Sequence, residues 1–110
     1  MSACKPVVFI NQEGFCISQC SDCKQVGWYY RNLLVGFSER DFVQFSQRLL
    51  DLDFTRQSVL FPDGVRYTLI RTCHADIQFC FTEDELATVQ KGLANALLLI
   101  EVHQMMSDSN

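Results

Sequence analysis

Two stretches of this chain read alike, and together they constrain the fold more than any other feature. Leu34-Val35-Gly36-Phe37-Ser38-Glu39-Arg40-Asp41-Phe42 resembles Gln78-Phe79-Cys80-Phe81-Thr82-Glu83-Asp84-Glu85-Leu86, with Phe37 falling on Phe81. Each begins with alternating apolar residues (Leu33, Val35, Phe37; Ile77, Phe79, Phe81), the period of a half-buried strand. Each then stops at a helix start of the form [ST]-x-x-[DE], where Ser38 or Thr82 accepts from an open backbone N–H and Asp41 or Glu85 sits in the positive first turn. The first helix carries Phe42, Phe45, Leu49 and Leu50 or Leu52 on one face. The second carries Leu86, Val89, Leu93, Leu97 and Ile100.

Upstream of each strand–helix pair lies a hairpin pattern. Val7–Ile10 and Phe15–Ser18 flank Asn11-Gln-Glu-Gly14, and Ser58–Phe61 and Val65–Ile70 flank Pro62-Asp-Gly64. The expected fold is therefore α+β, with two β-β-β-α halves (4–53 and 54–106) suggesting an internal duplication, and antiparallel strands packed with two helices. At 110 residues the chain reads as one domain, 1–110. Matching Gly14 to Gly64 needs an offset of 50, whereas Phe37 to Phe81 needs 44, so the first half carries six extra residues. They fall around Cys20–Gln25, and the turn expected to answer to them in the second half is Arg71-Thr72-Cys73-His74.

That insertion holds Cys20-Ser-Asp-Cys23, two thiols at the spacing of a metal knuckle. Zinc needs about four ligands within roughly 2.0 to 2.3 Å of one point. If Ile10 pairs with Phe15, Cys4 comes opposite Ser21 beside the knuckle and becomes the natural third ligand. Cys73 from the related turn is the expected fourth, with His74 as its alternative, so the expected structural Zn2+ site is Cys4, Cys20, Cys23 and Cys73 or His74. Cys16 would face Phe9 in mid-strand, roughly 13 Å along the strand from Cys20, and so miss the metal. Cys80 reads as core packing and His103 as a solvated helix residue.

The charge balance narrows the function classes. A net charge of −4 and nine basic residues scattered from Lys5 to Lys91 leave no stripe to neutralise phosphates, which argues against nucleic acid despite the aromatic run Trp28-Tyr29-Tyr30-Arg31. Hydrophobic residues at 48% against 20% charged describe a chain that folds. The N-terminus lacks a signal-peptide pattern and no run is long enough to span a bilayer, so the expected location is the cytoplasm, where thiols stay reduced, without a membrane partner.

Other uses of the cysteines read less well. Cys16-x-x-x-Cys20-x-x-Cys23 matches the spacing of radical enzymes that hold an iron–sulfur cluster, but the chain is too short for their barrel. A thiol-based redox protein using Cys20 and Cys23 is the alternative reading, although no helix follows the first thiol to activate it. Cys73-His74 would point to opposite faces of an extended segment rather than pair as nucleophile and base. No catalytic residue is assigned. On the last helix Leu98, Val102 and Met105 form a second apolar stripe, for which the expected cover is a homodimer through that helix, with the core of the same chain as the competing cover.

The order Cys20-x-x-Cys23, an aromatic strand, Asn32-Leu33-Leu34, Phe37-Ser38-Glu39-Arg40-Asp41-Phe42 and a second strand–helix pair resembles an uncharacterised family of short bacterial proteins. That resemblance implies a knuckle at Cys20 and Cys23 and no assigned activity. The expected role is that of a small zinc-binding protein, serving interaction or regulation with a protein partner.

Overall fold

A computed structural model describes residues 5–12 and 14–108. The fold is α+β, with two antiparallel sheets. Strands β1 (Pro6–Gln12), β2 (Phe15–Cys20), β3 (Val26–Tyr30) and β4 (Leu33–Phe37) form a four-stranded meander in that order, followed by α1 (Glu39–Leu50). After the one-turn helix α2 (Phe54–Gln57), strands β5 (Ser58–Leu60), β6 (Arg66–Arg71) and β7 (Gln78–Phe81) form a second meander, and α3 (Glu83–Asp108) ends the described chain. No helix of the described residues is long and apolar enough to cross a membrane.

Both helix starts form as their sequences dictate. Ser38 Oγ accepts from the Asp41 N–H at 3.1 Å. Thr82 goes further: its Oγ1 accepts from the Glu85 N–H at 3.3 Å while Glu85 Oε1 accepts from the Thr82 N–H at 2.9 Å, a reciprocal capping box. Behind the caps, Phe42, Phe45 and Leu49 of α1 and Leu86, Val89, Leu93, Ala96 and Ile100 of α3 are buried, so the expected faces are the ones that pack. Leu50, Leu52 and Leu97 pack partly buried against this core.

The core joins the two halves through aromatic rings. Trp28 of β3 stacks on Phe79 of β7 at 5.1 Å and meets Phe45 of α1 edge-on at 5.3 Å. Phe79 in turn stacks on Phe81 at 5.6 Å. Offset and edge-to-face pairs of this kind add to the stabilisation from burial alone. α3 crosses the first sheet closely at Gly92, where a Cβ would stand 2.7 Å from Phe15 Cε2 and 3.0 Å from Ile10 Cδ1. Only glycine lets the helix backbone approach those side chains.

Two expectations about the strands are corrected. The first hairpin turns at its tip, with Gln12 opposite Phe15 and Gly14 at φ +74°, rather than through a four-residue loop. A left-handed glycine makes so short a connection possible, and Asn11 and Gln12 then extend the strand. The register passes through a bulge between Val8 and Ile10, which sets Pro6 opposite Cys20 rather than Gln19. Cys16 pairs with Asn11, not Phe9.

The repeat also aligns differently from its sequence offset. Counting back from the two caps, β2-β3-β4-α1 answers to β5-β6-β7-α3, and β1 is the additional strand. The Cys20–Cys23 turn, between β2 and β3, therefore answers to the Pro62–Gly64 turn between β5 and β6. The Cys73–His74 turn answers to the Arg31–Asn32 turn between β3 and β4. Sequence offsets misassigned these turns because an extra strand and a short helix displace the halves by different amounts.

Candidate functional site

The reversal after β2 is closed by backbone hydrogen bonds on all sides of Cys20. Its N–H donates to Gln25 O at 2.9 Å, its carbonyl accepts from the Lys24 N–H at 3.0 Å, and the next residue, Ser21, donates to Lys5 O at 3.1 Å. Lys24 takes φ +65°, the left-handed conformation that turns the chain back into β3. The Cys23 N–H donates to Cys20 Sγ at 3.4 Å, so the backbone of the second cysteine solvates the sulfur of the first. Cys20 is disulfide-bonded. Cys23 is exposed and keeps its thiol.

Gln19, the residue before this turn, anchors it from below. It is buried at 2% exposure on the inner face of β2, in alternation with Phe15 and Ile17. Its amide Nε2 donates to Lys24 O at 3.0 Å and to the Glu39 carboxylate in the first turn of α1. Glu39 accepts a second amide, Gln104 Nε2 of α3, at 2.6 Å. One carboxylate thus ties the knuckle to both long helices. Alternation with Phe15 and Ile17 along β2 is the sequence signal that places Gln19 inside.

Above the turn, on the solvent side of the first sheet, lies a cavity of about 470 Å³. Cys20 and Cys23 form part of its wall, with Leu34, Gln25 and the glycine pair Gly27 and Gly36. Gly27 and Gly36 are opposite each other in the β3–β4 ladder, and the side chain of Gln25 lies over Gly36 while those of Leu34 and Ser18 border Gly27.

The β6–β7 turn reaches the same end of the molecule by a different route. Thr72 organises it: its Oγ1 accepts from the His74 N–H at 3.1 Å and donates to Ile77 O at 2.9 Å, and Asp76 takes φ +67°. His74 Nε2 lies 2.7 Å from Gly36 O, on the strand that also borders the knuckle cavity, and its ring packs on Phe37. Cys73 faces the first turn of α1. Cys73 is exposed, yet partial desolvation by the neighbouring chain and the Asp41 carboxylate, only partly offset by Arg48, push its thiol pKa up, which disfavours the thiolate that binds metal or attacks disulfides.

The structure therefore brings Cys20 and Cys23 together and directs Cys73 to Asp41 and His74 to Gly36. Cys4 lies outside the described residues. Cys80 is exposed on the outer face of β7 rather than packed in the core, because Phe79 and Phe81 take the inner positions. Among the described residues, no three His, Cys, Asp or Glu side chains are grouped to hold a metal ion.

A second polar cluster, unforeseen in the sequence, sits at the far end of the first sheet. Arg31 occupies the β3–β4 turn at φ +56° and bonds Glu85 Oε2 at 2.9 Å while lying over the Tyr30 ring. Burial raises the Glu85 carboxyl, but the Thr82 backbone and hydroxyl, Tyr30 and Arg31 outweigh it and leave the pKa below the ordinary value. Burial moves the Tyr30 phenol up. No family model matches this chain, and no curated protein or solved structure matches it.

Proposed function

We propose that this chain is a small interaction or regulatory protein whose chemistry is thiol–disulfide exchange at the Cys20–Cys23 turn. The observation that carries this reading is the pairing of a disulfide-bonded Cys20 with an exposed thiol three residues on, whose own N–H already donates to the Cys20 sulfur. Attack of the Cys23 thiolate on Cys20 Sγ would form a Cys20–Cys23 bond and break the existing one. The sulfur released leaves as a thiolate and takes a proton from water, so no oxidant is consumed. The cavity walled by Cys20 and Cys23, with Cys23 exposed, gives an incoming group access.

A structural zinc knuckle in the reduced chain is the second reading, and the turn itself favours it. A backbone N–H directed at a cysteine sulfur beside a left-handed residue suits a metal-bound thiolate as well as a disulfide. Zinc held by Cys20 and Cys23 would draw its remaining ligands from outside the described residues, since Cys73 and His74 are engaged elsewhere. The partner we read as a second copy of the chain, covering the apolar stripe of α3, and we expect neither nucleic acid nor membrane to bind.

Zinc stoichiometry and thiol exchange measured on the reduced chain separate the two readings, with Cys20→Ser and Cys23→Ser alongside. Exchange with a small disulfide that is lost in Cys23→Ser, while the fold and melting temperature hold, supports the thiol site. About one zinc per chain, lost with much of the stability in either variant, supports the knuckle instead. Neither exchange nor zinc would dismiss both.

A further inference from the structure

α3 runs 26 residues, about 39 Å at the helical rise, and its buried face ends at Ile100. On the outward face, residues follow the four–three spacing of a helix-pairing seam, yet its two ends differ. Asp84, Lys91 and Asn95 are polar; Leu98, Val102 and Met105 are apolar. Leu99 and Met106 flank the apolar end. All five of these apolar side chains are exposed, from 44% at Leu99 and Val102 to 66% at Met106.

Their positions are symmetric about Val102: Leu98 and Leu99 precede it by four and three residues, and Met105 and Met106 follow it by three and four. From this, building on the reading of a second copy as partner, we infer that two chains pair their α3 helices antiparallel, on a two-fold axis beside Val102. In that arrangement Val102 meets the partner's Val102, Leu98 lies beside the partner's Met105, and Leu99 beside the partner's Met106. An isologous contact must be self-complementary, and this spacing supplies that.

Charge selects the orientation. A parallel pair would continue the seam toward the start of the helix and set Lys91 against the partner's Lys91 and Asp84 against the partner's Asp84. Antiparallel pairing about Val102 overlaps the apolar end and leaves those charges in water, with Glu101 and His103 at the solvent-facing edges of the contact. Covering the five side chains in both copies, with their neighbours, removes on the order of 1,000 Å² from solvent, at the lower limit of interfaces that hold. The dimer is therefore expected to dissociate on dilution into the low micromolar range.

The test uses the full chain. Light scattering at about 100 µM is expected to give the dimer mass, and Val102→Glu, which sets two carboxylates face to face, to weaken association by about 100-fold or more, with a melting temperature equal to the parent's once both are diluted to monomers. Orientation is read from engineered disulfides mapped by peptide mass. Leu98→Cys mixed with Met105→Cys is expected to give the 98-to-105 cross-link, with little 98-to-98 or 105-to-105 product. Predominance of the two symmetric products would overturn the antiparallel pairing. A dimer that survives Val102→Glu would keep the second copy as partner and discard this contact. A monomer at that concentration would overturn both.

Discussion

The two halves of the molecule use equivalent turns in unlike ways. The β3–β4 turn of the first half reaches the first turn of α3, where Arg31 bonds Glu85; the β6–β7 turn of the second half reaches the first turn of α1, where Cys73 faces Asp41. Glu85 and Asp41 hold the same place, three residues after the capping Thr82 and Ser38. Each half thus lays its turn on the other half's helix start, as a duplicated unit folded on itself would. The difference is chemical. A cation beside the carboxylate makes a surface ion pair, whereas a thiol beside it has its pKa pushed up. The same scaffold position thus carries an ion pair in one half and, in the other, a thiol whose ionisation the carboxylate opposes.

The largest effect is expected where the halves share one core. Phe79→Ala removes a ring that touches Trp28, Phe45 and Phe81 and should cost about 3–5 kcal/mol. Denaturant unfolding should remain one transition followed equally by Trp28 fluorescence and helical signal; two separated transitions would mean that the halves fold independently. Gly92→Ala forces a Cβ against Phe15 and should cost about 1–3 kcal/mol by the same measurement.

The caps come next. Thr82→Ala breaks both arms of a reciprocal box and should lose about 1 kcal/mol, with Ser38→Ala losing less because its box has one observed arm. At the ion pair, Arg31→Ala should cost little, since the guanidinium is solvent-exposed, and less still in high salt. Glu85 has a folded pKa below its unfolded value, so its contribution is present above the unfolded pKa and fades as pH falls through the folded one. Glu85→Gln should therefore narrow its stability gap to the parent on the acid side of the ordinary carboxylate range. Smallest in energy but most pointed, Asp41→Asn should speed alkylation of Cys73 without changing that of Cys23. Equal rates before and after would remove the carboxylate from the account of Cys73.

Much of this fold was legible because local chemistry and burial agree. Phe37-Ser38 and Phe81-Thr82 announce strand, cap and helix at once, and the apolar stripes on the helices pack as spaced. The turn equivalences were not legible, because the additional strand β1 and the one-turn helix α2 displace the halves by different amounts, and the bulge near Val8 is set by pairing with a neighbouring strand. The expectation that Cys73 and His74 join the knuckle depended on those equivalences. The core face of Gln19 was readable from alternation, but its carboxylate partner on a distant helix was not. The exposed apolar stripe on α3 was visible in spacing alone, and its symmetry about Val102 emerges once the buried stripe is known to end at Ile100.

Differential alkylation of the native chain, mapped cysteine by cysteine with and without prior reduction, distinguishes a thiol–disulfide site at the Cys20–Cys23 turn from an inert one. Without reductant Cys20 is expected to be protected as a disulfide and Cys23 to react well ahead of Cys73, and reduction is expected to expose Cys20. Rapid alkylation of Cys20 in the unreduced chain, or Cys73 reacting ahead of Cys23, would contradict the thiol–disulfide site.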